Sequence, residues 1–127
     1  MDTTTNSLNW FEIPASDLDR AKAFYEAILD LELPTHTMGD MQMAFFPYEP
    51  GSGKASGGLA QSPMHTPGQD GVMVYLNANP DMAPVLARIE EAGGQVLMPK
   101  TLINEQNGYM AFFLDSEGNR IGLHSQD

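Results

Sequence analysis

The sequence predicts an α+β fold made of two βαβββ half-repeats, their strands forming a curved mixed sheet with two helices on the outside. Three observations carry this. A short apolar run passes straight into an amphipathic helical pattern at residues 8–29, the same unit returns at residues 71–94, and three strand-like runs follow each helix. A repeat of roughly sixty residues that occurs twice makes two half-domains, where an array needs shorter and more numerous units. The half-repeats span about 7–62 and 69–125 within one domain, 1–127.

The first strand ends at Pro14 and is rich in the aromatic and branched residues that suit a pleated surface. Ser16 occupies the helix N-cap position, and Asp17 and Asp19 lie in the first turn, at the positive end of the helix dipole. Leu18, Ala21, Tyr25 and Ile28 recur at helical spacing, widened by Phe24 and Leu29, while Arg20, Lys22 and Glu26 take the wet side. Strands follow at residues 33–38 and 41–46 around a Gly39-Asp40 turn, then a proline- and glycine-rich loop at 47–53 and a strand at 54–60.

Residues 61–70 link the halves. In the second half the strand is expected at 71–76, with Asn79 as helix cap and Pro80 at the first helical position, where its missing N–H costs nothing. Met82, Val85, Leu86 and Ile89 form the buried stripe, and Gly93-Gly94 stops the helix. Strands at 95–99, 108–114 and 119–124 complete the half, with a polar connection at 100–107 and a turn at 115–118.

Composition narrows the function. The net charge is −11, and six basic residues are too few to neutralise a phosphate backbone, so nucleic acid is excluded as a partner. Charge of that size keeps proteins apart in solution and also favours cationic ligands. With no cysteine there is neither a disulfide framework nor thiolate chemistry, which suits a reducing cytoplasm. The polar start MDTTTNS lacks the pattern of a signal peptide, and no apolar run reaches membrane-spanning length. The expectation is a soluble, cytoplasmic protein with no membrane partner.

The pairing of FEIPASDLDRAKAFYEAIL with GYMAFFLDSEGNRIGL resembles the vicinal oxygen chelate superfamily, which includes glyoxalase I, bleomycin-resistance proteins and extradiol dioxygenases. The resemblance spans both halves. It implies a concave sheet in which the metalloenzymes hold a divalent ion through His, Glu or Gln. It places the four ligand positions on Trp10, Gly58, Val72 and Gly122. Indole offers only a donor, and valine and glycine offer no side-chain ligand at all, whereas such metals want imidazole or carboxylate. No metal and no cofactor are therefore expected.

Strand alternation extends the candidate set. If Trp10 faces the concavity, so does Glu12; His124 shares the side of Gly122; Val74 and Leu76 share the side of Val72. The expected pocket is an apolar cup lined by Trp10, Glu12, Gly58, Val72, Val74, Leu76, Gly122 and His124. Tyr48, Tyr109 and Met41, Met43 and Met110 are further apolar candidates, the methionines read as core. Glu12 is either a ligand-facing acid or base, or a strand-end carboxylate that is paired with backbone or Arg20 or simply solvated. Trp10 is either core or a stacking platform for a flat or cationic ligand. His36 and His65 are read as exposed, His124 as either a ligand-facing residue or a solvated or hydrogen-bonded histidine near the C-terminus, where chains fray, and no hydroxyl nucleophile with a neighbouring base stands out.

The leading functional expectation is a metal-free binding module that takes a small-molecule ligand, working as a homodimer as the resemblance implies. The alternative is a lyase, isomerase or dioxygenase that uses Glu12 as its base or a rearranged metal site. A domain with a vestigial pocket is the third reading.

Overall fold

The structure, a computed structural model, describes residues 1–127. In chain order it contains β1 (Trp10–Pro14), α1 (Leu18–Leu29), β2 (Thr35–Met38), β3 (Met41–Phe45) and β4 (Ser56–Gln61). The second half follows as β5 (Tyr75–Asn77), α2 (Ala83–Ala92), β6 (Gln95–Asn104), β7 (Gly108–Leu114) and β8 (Arg120–Ser125). Each half-repeat builds its own four-stranded mixed sheet, in the order β1-β4-β3-β2 and β5-β8-β7-β6. In both, the strand before the helix pairs parallel with the last strand and the other pairs are antiparallel.

The register repeats as well as the order. Glu12 on β1 opposes Gly58 on β4, which opposes Phe45 on β3. Tyr75 on β5 opposes Gly122 on β8, which opposes Phe112 on β7. A glycine therefore sits between an outer-strand side chain and a phenylalanine in each half. At Gly122 the reason is steric: an added Cβ would lie 2.6 Å from the Tyr75 ring.

Helix α1 forms where its stripe predicts, burying Leu18, Ala21, Phe24, Tyr25 and Ile28. Its cap is Asp17, not Ser16: the Asp17 side chain accepts from the Arg20 N–H. The Ser16 and Asp17 N–H groups are instead claimed by the Glu117 carboxylate, at 2.9 and 2.8 Å. Helix α2 begins at Ala83, later than the Asn79-Pro80 signal suggests. Asn79 is engaged elsewhere, its Oδ1 accepting from the Gln126 N–H at 2.7 Å and its Nδ2 donating to Asn77. Asp81 accepts from the Ala83 N–H, and Gly93 ends the helix in the left-handed region.

Strand β6 runs five residues beyond the expected Pro99, into the stretch read as a connection. Proline is tolerated because β6 is an edge strand, and the pairing with β7 is broken by irregularities on both sides of it. Strand β5 is shorter than expected, leaving residues 71–74 outside it.

The halves share one core. Phe24 and Tyr25 from α1 meet Phe113 from β7 at centroid distances of 6.0 and 6.4 Å. Above this core the β7–β8 turn docks on α1. Asp115 is buried and accepts from the Tyr25 hydroxyl (2.7 Å), the Glu117 and Asn119 N–H groups and the Asn119 carboxamide. Burial first, and then the Asp115 carboxylate, push the Tyr25 phenol well above its ordinary value. Asn119 also donates to the Pro14 carbonyl at 2.7 Å, tying the turn to the end of β1.

Glu117 has a side chain sealed from solvent and pairs with Arg20 at 2.7 Å. Burial works against its charge, but Arg20 and the Asp17 N–H outweigh it and hold the carboxyl below its usual value. A depressed folded value means that this stabilisation is complete above the unfolded value near 4.5 and drains away as pH falls through the folded one. Glu117→Gln should flatten the acid limb of a stability profile measured by urea unfolding between about pH 2 and 6. At neutral pH it should cost about 1–3 kcal/mol. Gly122→Ala should cost a further, independent ~1–3 kcal/mol by displacing Tyr75, read by thermal unfolding.

Candidate functional site

Alternation along β1 sends Phe11 and Ile13 toward the core and leaves Trp10 and Glu12 on the other face. Trp10 is 37% exposed and meets Phe45 and Tyr48 edge-to-face, at 5.7 and 5.8 Å between centroids. His36 stacks on the far side of this group, 6.0 Å from Phe45. Gly58 lies beneath, where an added Cβ would come within 2.8 Å of the Ala44 carbonyl and 3.3 Å of the Phe45 ring. The first sheet thus presents an aromatic surface with a carboxylate beside it and no side chain at its centre.

The second sheet departs from the expected lining. Val72 lies outside β5 and is 94% exposed. Leu76 faces the core, packed with Leu123 and Ala111. The residue that shares the face of Gly122 is Tyr75, whose ring meets Phe112 at 5.9 Å. The cause is parity: a continuous apolar run such as GVMVYL carries no alternation of its own, and a shift of one residue exchanges the faces. Val74 is half-buried, and its carbonyl accepts from the Gly122 N–H at 2.9 Å.

His124 sits on a tethered strand, not a frayed end. Its carbonyl accepts from the Ala78 N–H, and the Asp127 N–H donates to the Pro80 carbonyl. Its ring Nε2 lies 2.6 Å from the Asn107 carbonyl, an acceptor, so that nitrogen carries the hydrogen. A cleft of about 320 Å³ opens between the end of β1 and the start of β8, lined by Glu12, Ile13, Val72, Val74, Arg120 and Ile121 among others. Glu12, Val72 and Val74 therefore share a cavity, while Trp10, Gly58, Gly122 and His124 do not line it.

Glu12 is also the centre of a polar network. Its Oε2 accepts from the Trp10 indole N–H at 3.3 Å, and its Oε1 lies 2.9 Å from His65 Nε2. His65 Nδ1 in turn lies 2.6 Å from the Ser62 hydroxyl. His65 is not the exposed loop residue that its surroundings suggest, since its side chain is 11% exposed. A hydroxyl next to a base is thus present after all. The only local trace in the sequence is the Ser-x-x-His spacing, which one turn brings together; the fold supplies Glu12 from 53 residues away.

The donor set does not fit a divalent ion. The four positions that the resemblance assigns to metal ligands carry an indole, an isopropyl group and two glycines. No three His, Cys, Asp or Glu side chains converge elsewhere in the chain to replace them. The nearest approach, Glu12 with His65, is already hydrogen-bonded internally.

Among solved structures, glyoxalase I from Zea mays superposes with a TM-score of 0.67 at 18% identity, covering 92% of this chain and 45% of that one. The chain thus spans less than half of the maize enzyme. The trypanothione-dependent glyoxalase I of Leishmania major gives 0.66 at 18% identity over 96% of this chain and 88% of that one. A glyoxalase/bleomycin resistance protein from Albidiferax ferrireducens gives 0.66 at 18% identity over 96% and 100%. At such identities the likeness is one of fold. No curated protein matches the chain. Residues 7–123 match the Glyoxalase/Bleomycin resistance protein/Dioxygenase superfamily as a whole, and the chain belongs to that superfamily.

Proposed function

We propose that residues 1–127 act as one cytoplasmic domain that binds a small flat or cationic organic molecule on the concave face of its sheets, without metal or cofactor and as a homodimer. The observation that carries this reading is the surface made by Trp10, Phe45 and Tyr48 with Glu12 at its side. Trp10 and Tyr48 keep much of their ring area open, although aromatic rings are among the groups most strongly driven to burial. A cation above such rings gains about 0.5–2 kcal/mol from each well-placed face, and more beside a carboxylate. The net charge of −11 draws the same class of ligand.

In this reading Glu12 is an anchor. Both of its oxygens already accept hydrogen bonds, from Trp10 and His65, so it is held in place beside the rings. Gly58 lets the Phe45 ring pack close against the backbone of this face, and Gly122 seats the Tyr75 ring in the same way in the second half. Val74 and His124 complete the lining when two protomers bring a first sheet opposite a second one. The open aromatic surfaces of both sheets support such pairing.

A thermal-shift screen of aromatic and quaternary amines should find a ligand that stabilises the protein by about 2.7 kcal/mol at 100 times its dissociation constant. Trp10→Ala should weaken that ligand roughly ten-fold, about 1.4 kcal/mol, with the fold retained by circular dichroism. Loss of the screen's hits to Trp10-independent sites would defeat the reading. Elemental analysis of protein purified without chelator should show no stoichiometric nickel, zinc, manganese or iron, and light scattering should give the mass of a dimer.

A further inference from the structure

Beside the aromatic surface, the segment that links the halves folds back so that Ser62, His65 and Glu12 form a continuous hydrogen-bonded chain, with links of 2.6 and 2.9 Å. We propose that this chain is a nucleophilic site, in which Ser62 takes the acyl group of a small neutral carboxylic ester and passes it to water. The inference stands apart from ligand binding by the aromatic surface and shares only Glu12 with it.

The direction of the hydrogen bonds follows from what each group can do. A carboxylate accepts only, so the hydrogen between Glu12 and His65 resides on Nε2. In the neutral imidazole Nδ1 is then an acceptor, and the hydrogen between it and Ser62 belongs to the hydroxyl. The serine is thus already donating its proton to the base that must remove it. The Met64 N–H occupies one lone pair of Oγ, at 3.1 Å, and the other is free for attack. Familiar serine triads use the two ring nitrogens in the opposite sense, with Nε2 toward the serine and Nδ1 toward the carboxylate; here the carboxylate fixes the complementary tautomer.

The surroundings suit the chemistry. Ser62 and His65 line a polar cleft of about 390 Å³ together with Gln42, Gln61, Asp40 and Ser16. The Gln61 carboxamide has its oxygen engaged by the Leu18 N–H at 2.7 Å, which leaves its NH₂ end as a donor for a developing oxyanion. Asp40 at the cleft disfavours an anionic acyl group, so the fitting substrate is an uncharged short-chain ester.

The steps balance. Ser62 Oγ forms a bond to the carbonyl carbon as its proton passes to His65 Nδ1, and Glu12 steadies the imidazolium. The ester C–O bond then breaks and the leaving alkoxide takes the proton from Nδ1, giving acyl-Ser62 and free alcohol. A water molecule repeats the sequence on the acyl group, returning the proton to Ser62 Oγ and releasing the acid. Glu12 acts through His65 and is a positioning residue.

Two probes test this on the intact chain: a fluorophosphonate followed by intact-mass and peptide mapping, and hydrolysis of p-nitrophenyl acetate. The expected result is one fluorophosphonate adduct, mapped to Ser62, and esterase activity that vanishes in Ser62→Ala. His65→Ala should slow acylation by about 10²-fold or more. Glu12→Gln should lower kcat at unchanged KM, a split that mere loosening of the loop would not give. An unlabelled Ser62 in the wild-type protein overturns the proposal without recourse to any variant. So does hydrolysis that persists unchanged in a folded Ser62→Ala protein. Labelling of Ser62 and the thermal shift by an amine ligand are read separately on the wild-type protein, so failure here and failure of ligand binding can be told apart.

Discussion

The carboxylate of Asp115 is the point on which the two halves depend. It is buried, yet it accepts from the Tyr25 hydroxyl, from the Glu117 and Asn119 N–H groups and from the Asn119 carboxamide. A carboxylate left dry and unpaired would be very costly, so these donors are a condition of the fold. They arrive together only when the β7–β8 turn sits over α1. The same turn delivers Glu117 to the first N–H groups of the α1 region and Asn119 to the end of β1. A polar clamp at the top of an apolar core therefore fixes how the half-repeats meet.

That clamp positions the candidate site. With the end of β1 pinned by Asn119, the cleft between β1 and β8 takes its lining from Glu12 on one side and Arg120 and Ile121 on the other. The glycines in register with Glu12 and Tyr75 set what the faces can present. At Gly58 the absence of a side chain lets the Phe45 ring lie close to the backbone, and at Gly122 it seats the Tyr75 ring. The repeat is thus one of register and steric allowance more than of residue identity, which is why Glu12 in one half answers to a tyrosine in the other.

Much of the fold was legible in the chain. The stripe of α1, the glycine stop of α2, the whole of β7 and the turn after it appear where periodicity and turn chemistry put them. The departures share a cause. Asp17 holds the capping role because its carboxylate reaches the Arg20 N–H while Glu117, 101 positions from Ser16, fixes the backbone of both residues, and the start of α2 moved because Asn79 was held by Gln126. Leu76 was placed on the wrong face because an unbroken apolar run does not state its parity, and Val72 lies outside the strand although it shares a cleft with Glu12. His65 looked like a solvated loop histidine because nothing near it in the chain resembles Glu12.

The amino-acid sequence alone determined the fold class, the two half-repeats and the side-chain chemistry at the four family positions, since each rests on local periodicity or on the identity of single residues. It also put Trp10 and Glu12 on one face, because two residues on a strand cannot do otherwise. Tertiary structure decided which apolar residues of the second half face the site, where α2 begins, and that Ser62, His65 and Glu12 stand in line. Those outcomes hinge on contacts between groups far apart in the chain, and strand register and loop docking are settled only when the shared core and its clamp close.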